Sequence, residues 1–147
     1  MIATTDPLYC LVWLSRPLHQ EVEKAVAAAL PAGLTVRMRA VLEALHDLGP
    51  STVPTIARHL EIQRQYVQLM VNEVAAARFA EARPNPASKR SPLFHLTEEG
   101  TALIESVRAR EQALLARIAE TLPAEDIQTA LRITEQVLAA FKEENTR

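Results

Sequence analysis

From Leu8 to Leu30 the apolar positions Leu8, Leu11, Val12, Leu18, Val22, Ala25, Val26, Ala29 and Leu30 recur at helical spacing, with Ser15 on the same line. This predicts an amphipathic helix. Asp6-Pro7 marks its start, a capping acid followed by proline at the first helical position. Pro17 falls inside the pattern and is expected to kink or break it. Pro31-Ala32-Gly33 ends it. A second helix is expected from about Thr35 to Leu48, with Val41, Leu42, Leu45 and Leu48 inward, stopped by Gly49-Pro50. Ser51-Thr52 then caps a short helix whose apolar side is Val53, Ile56, Ala57 and Leu60. After a turn at Glu61-Ile62, a longer helix is predicted from about Gln63 to Arg78. Val67, Met70, Val71 and Val74 form its single buried stripe.

Beyond Arg78 the period changes. Phe79 to Arg83 reads as a short strand, and Leu93-Phe94-His95-Leu96 as its returning partner. The stretch between them, Pro84 to Pro92, is turn-rich and expected to be irregular. The result is a β-hairpin with a basic tip at Lys89-Arg90. Thr97-Glu98-Glu99 opens the next helix, with a cap and two acids at the positive end of the dipole. That helix runs to about Thr121, and Pro123 breaks it. A last helix spans about Glu125 to Lys142, where Ile127, Leu131, Thr134, Leu138 and Phe141 are spaced 4, 3, 4, 3. This is a coiled-coil-like seam.

Composition sharpens the picture. Only 3 of 147 residues are Gly, and helix formers are frequent, so the chain reads as a mainly α protein. It carries no apolar run long enough for a bilayer and no leader-like start, so a cytoplasmic protein without a membrane partner is expected. The single cysteine, Cys10, excludes an internal disulfide framework. His19, His46, His59 and His95 lack metal-ligand spacing, so no metal is expected. No nucleophile elbow, phosphate loop or dinucleotide fingerprint is present; an enzyme is not expected, and no cofactor. The net charge is −2. From Ser51 to Thr97, however, six basic residues face three acidic ones, a local balance of +3. Binding phosphate needs local rather than global positive charge.

The order helix, short helix, tight turn, helix, basic hairpin points to DNA. A helix-turn-helix lays its second helix in the major groove, so that helix needs one face to dock and one to read. Val67, Met70, Val71 and Val74 dock. Gln63, Arg64, Gln65, Tyr66, Gln68 and Asn72 are left outward. Glutamine pairs with adenine edges and arginine with guanine, so Gln63, Arg64, Gln65 and Gln68 are candidate base readers. Ser51, Thr52, Tyr66, Lys89 and Arg90 are candidates for holding the DNA backbone. A cationic wing tip suits the neighbouring minor groove.

These residues resemble the MarR family of bacterial winged helix-turn-helix regulators, from about Leu8 to Phe141. The most specific stretch is the wing and its exit, Lys89-Arg90-Ser91-Pro92-Leu93-Phe94-His95-Leu96-Thr97-Glu98-Glu99-Gly100. Leu34-Thr35 and Ile56-Ala57-Arg58-His59-Leu60 match as well. The resemblance implies a homodimer built on the first and last helices, a palindromic double-stranded operator, and release by a small aromatic or anionic effector. The function expected is a ligand-responsive repressor. The alternatives are a protein-interaction module that does not bind DNA, or a peroxide-sensing repressor using Cys10. On this reading residues 1–147 form one regulator domain, with a DNA-binding lobe at about 35–97 and dimerisation helices at about 7–31 and 98–143. Trp13, Arg16, His19 and His46 are candidates for lining an effector pocket, although core packing of Trp13 and exposure of Arg16 are the simpler readings. For Cys10 the simpler reading is a small buried apolar residue. Two positions depart from the family. Ser88 stands where an acid usually braces the wing arginine, and Arg78 stands where glycine often ends the reading helix.

Overall fold

A computed structural model describes residues 6–31 and 33–147. The first five residues, read above for a leader, and Ala32, in the expected terminator of the first helix, lie outside them. The elements are α1 (Pro7–Ala29), α2 (Val36–Leu48), α3 (Val53–Leu60), α4 (Arg64–Ala76), β1 (Ala80–Asn85), β2 (Ser88–Leu96), α5 (Glu98–Ala119) and α6 (Ala124–Asn145). Contacts cluster in two units, one reaching Arg108 and one starting at Ala109.

The first unit holds the core. Val41 and Leu42 of α2, Ile56 of α3, Val67, Val71 and Val74 of α4, and Ile104 of α5 are fully buried. The stripe predicted for α4 is thus the stripe that docks. Leu48, expected inward, is exposed, because it ends α2 beside Gly49 rather than over the core. In α1 Val26 is the buried residue. The helix runs through Pro17 without breaking. Proline removes one N–H, and the carbonyl it leaves without a donor, that of Trp13, lies on an exposed stretch open to water. In the second unit α6 buries none of its residues.

The caps explain the boundaries. Asp6 Oδ1 accepts from the Leu8 amide at 2.9 Å, starting α1 as expected. Thr35 and Thr52 do the same for α2 and α3, accepting from Met38 at 3.2 Å and Thr55 at 3.4 Å. Ser51 is not part of the cap. Its backbone bridges Phe94 of β2, through N–H to O contacts of 3.1 and 2.8 Å, so the chain before α3 adds a third short edge to the hairpin.

Helix α4 ends two residues before Arg78, which takes the left-handed conformation at φ 64°. The Phe79 amide donates back to Val74 O at 3.1 Å, closing the helix end. Glycine would adopt this geometry without the Cβ penalty. Arg78→Gly is therefore expected to raise stability by about 0.5–1 kcal/mol, seen as a higher midpoint in chemical denaturation. An unchanged or lower midpoint would show that the arginine is not strained there.

The hairpin is longer than its sequence suggested. β1 continues through Pro84, and β2 begins at Ser88, so only Pro86-Ala87 form the turn. The register nevertheless breaks where the prolines lie. Arg83 pairs with Leu93, but Asn85 pairs with Ser88, leaving extra residues of β2 bulged opposite Pro84. Pro84 and Pro92 cannot donate to a ladder, which is the physical cause. Asn85 ties the bulge instead, donating to Ser91 O at 2.9 Å while its Oδ1 accepts from the Ala87 amide at 3.0 Å.

Candidate nucleic-acid interface

Helix α4 presents Gln65, Tyr66, Gln68 and Asn72 to solvent, together with Arg64 at its first turn. Gln63 is the residue before the helix and makes no side-chain cap, so the first N–H groups of α4 are left without a side-chain acceptor. Such amides at a helix N-terminus favour anions. Gln68 Nε2 donates to Asn72 Oδ1 at 3.0 Å, which orients both amides.

The wing meets this helix. Arg64, Gln65 and Gln68 of α4 and Arg90, Ser91 and Pro92 of β2 line one cleft of about 320 Å³, floored by Val53 and Pro54 of α3. On the other flank of α4, a broader groove of about 840 Å³ is lined by Arg37, Arg58, Gln63, Arg64 and Tyr66 among others. The structure therefore brings together most of the residues singled out from sequence.

Charge pairing sorts the cations. Arg83 is bound to Glu81 on the same strand, and Arg37 to Glu73 across to α4 at 3.1 Å. Arg64, Lys89 and Arg90 are exposed and make no ion pair among the described residues. Unneutralised cations are the ones available to phosphate or to guanine edges.

Two expected DNA-backbone contacts are altered. Ser51 is buried, and its hydroxyl donates to Gly49 O at 2.8 Å. It has no free group for phosphate, because the bridge to Phe94 draws it under the wing. Thr52 is half-buried and spends its hydroxyl on capping α3. Ser88, in place of the bracing acid, accepts from the Arg90 amide at 3.3 Å. It shapes the main chain and leaves the guanidinium unbraced.

Sequence reasoning missed Leu69 and Arg37. Leu69 is 59% exposed on the reading helix. It lies off the stripe of Val67, Met70, Val71 and Val74, and as an apolar residue it carries no chemistry that a sequence motif would single out.

Of the candidate effector residues, Trp13, Arg16 and His19 lie on α1 and His46 on α2. Trp13 is exposed, with its ring 6.2 Å from that of Tyr9, so it is not packed in the core. Arg16 is exposed too. His19 faces Glu23 on its own helix at 3.1 Å. His46 is held against α5 instead. Arg108 donates to its Nδ1 at 3.1 Å, so the neutral ring carries its proton on Nε2, which faces Glu105 at 3.2 Å. Cys10 is exposed near the start of α1, contrary to the burial expected for it.

Arg108 also donates to Asp47 at 2.9 Å and Glu43 at 3.4 Å. The Arg108 hydrogen bond holds the Asp47 carboxyl below its ordinary value near 3.8. Because folding favours the ionised form, this pair adds stability above the ordinary carboxylate range and loses it as pH falls through the lowered value. The site is half-exposed, so Asp47→Asn is expected to cost only about 0.2–1 kcal/mol at neutral pH. The gap between the two proteins should narrow in acid as Asp47 takes up its proton; a gap that is independent of pH would contradict the pairing.

No family model matches the sequence. Uncharacterized proteins of Mycobacterium tuberculosis and Mycobacterium bovis are 32% identical over 93 residues, 63% of this chain, and the chain spans 65% of their length. A crystal structure of a MarR family transcription regulator superposes with a TM-score of 0.88 at 31% identity, covering 97% of this chain and 95% of that one. Two more distant structures share the fold. A MarR variant from E. coli complexed with operator DNA is 23% identical with a TM-score of 0.75, covering 91% of this chain and 99% of that one. PcaV from Streptomyces coelicolor, in complex with its natural ligand, is 19% identical with a TM-score of 0.76, covering 95% and 99%. The likeness to the first regulator runs nearly end to end and includes the helix-turn-helix, the wing and its exit. The chain belongs to the MarR family of transcription regulators.

Proposed function

We propose that this regulator is a ligand-responsive repressor that binds a palindromic operator as a homodimer. Helix α4 lies in the major groove, with Gln63, Arg64, Gln65 and Gln68 on base edges and Tyr66 beside the backbone. Lys89 and Arg90 carry the wing to the adjacent groove. The observation that carries this reading is the cleft where the amide-rich face of α4 meets Arg90, with Arg64, Lys89 and Arg90 all left without acidic partners among the described residues. The operator complex of the E. coli fold neighbour supports it.

The dimer is supported by apolar side chains that lack cover. On α1, Leu8, Leu14, Leu18 and Val22 are each 47–62% exposed, and on α6, Ile127, Leu131, Leu138 and Phe141 are 40–58% exposed. Faces of this extent mark protein contacts, and a two-fold axis makes the operator symmetric. The ligand complex of PcaV supports an effector, taken to be a small aromatic or anionic molecule. Trp13 and Arg16 are the exposed side chains of α1 offered to it, while His46 is committed to α5.

The test is selection of bound duplexes from a random pool, with sedimentation of the free protein. A recurrent inverted repeat and a dimer are the expected results. Failure to enrich any sequence, or a monomer at micromolar concentration, would overturn the reading.

A further inference from the structure

Helix α4 turns about 100° per residue, so the line opposite its buried stripe passes through Gln65, Leu69 and Asn72. A 59% exposed leucine thus lies near the middle of the reading face, among side-chain amides. A single exposed leucine is ordinary on a protein surface. Its neighbours make this one specific. Gln68 donates to Asn72 Oδ1 at 3.0 Å, so that oxygen is occupied. Gln68 Oε1 and the N–H groups of Asn72 remain to face the groove. An acceptor beside a donor matches the N6–H and N7 edge of adenine. The thymine of an A·T pair presents a C5-methyl group in the same groove, and an apolar side chain is what recognises a methyl.

We propose that Leu69 is a specificity-determining residue that packs on the C5-methyl of a thymine in each half-site, next to an adenine edge read by the Gln68–Asn72 pair. The inference rests on α4 being the DNA-reading helix. Burying one methyl group changes affinity about fourfold, and a symmetric dimer doubles the logarithm of that factor, to about fifteenfold.

The experiment uses the full chain and the operator selected from a random pool. Each thymine is replaced in turn by uracil, which removes only the methyl. One thymine per half-site is expected to weaken wild-type binding about fourfold on replacement. Leu69→Ala, which alters both half-sites at once, should bind the thymine operator about fifteenfold more weakly and should not distinguish thymine from uracil at that position. Leu69→Met should keep the preference, and unchanged thermal unfolding would show that α4 is intact in both variants. Uracil substitutions that are silent for wild type, or that weaken Leu69→Ala equally, overturn the role of Leu69 alone. A wild-type protein that enriches no sequence overturns the reading of α4, and this role with it.

Discussion

Replacing Gly100 by alanine is expected to cost about 3 kcal/mol or more of folding stability, at the upper end of what overpacking usually does. A Cβ built on Gly100 would lie 1.9 Å from Phe79 O and 2.8 Å from Phe79 C. These are backbone atoms, and they cannot easily yield. Phe79 O accepts from the Thr97 amide at 3.0 Å, and Phe79 N donates to Val74 O at 3.1 Å. Thr97 completes the buckle. Its hydroxyl donates to Arg78 O at 2.8 Å and accepts from the Gly100 amide at 3.0 Å. The end of α4, the start of the wing and the start of α5 are therefore fastened at one point. Relief of the clash has to move one of them, so DNA affinity should fall along with stability. Chemical denaturation checks the first effect; a Gly100→Ala protein within 0.5 kcal/mol of wild type would show that the close approach is not maintained. Thr97→Ala, which removes the hydroxyl but adds no volume, should cost less, about 1–2 kcal/mol.

Arg64→Ala is expected to weaken operator binding by about 1–3 kcal/mol for each lost base contact, or roughly 5- to 150-fold, and to relax sequence preference. Arg64 opens α4, lines the cleft with the wing, and has no ion pair among the described residues to break, so its loss should leave folding untouched. Lys89→Ala makes the contrast. It should weaken all sequences alike and lower the salt dependence of binding by about one unit. Titrations of specific and random duplexes across a salt series separate the two outcomes. Operator preference that survives Arg64→Ala would remove Arg64 from base reading.

Much of this was legible along the chain because burial leaves a periodic mark. A helix that docks one face must repeat apolar residues every three or four positions, and α4 does so through Val67, Met70, Val71 and Val74. Caps are equally local, since a hydroxyl or carboxylate acts on an amide two or three residues away, as at Asp6, Thr35 and Thr97. Leu69 lies off that stripe, and the period by itself gives an apolar residue there no role. At Pro17, a local rule predicted a kink or a break, and the helix continues unbroken through it.

The helices, a hairpin, the docking stripe of α4 and a basic stretch within the hairpin are thus legible in the chain by itself, although Lys89-Arg90, expected at the tip, lies on β2. These follow from interactions among near neighbours. The tertiary structure decided which groups are spent and which stay available. It drew Ser51 under the wing by pairing it with Phe94, and it held His46 on α5 through Arg108 and Glu105. By pairing Arg37 with Glu73 it also separated that cation from Arg64, Lys89 and Arg90. It brought Gly100 onto the Phe79 carbonyl. Each of these joins residues far apart in the chain, and partnership at a distance depends on how elements pack, which no local period records.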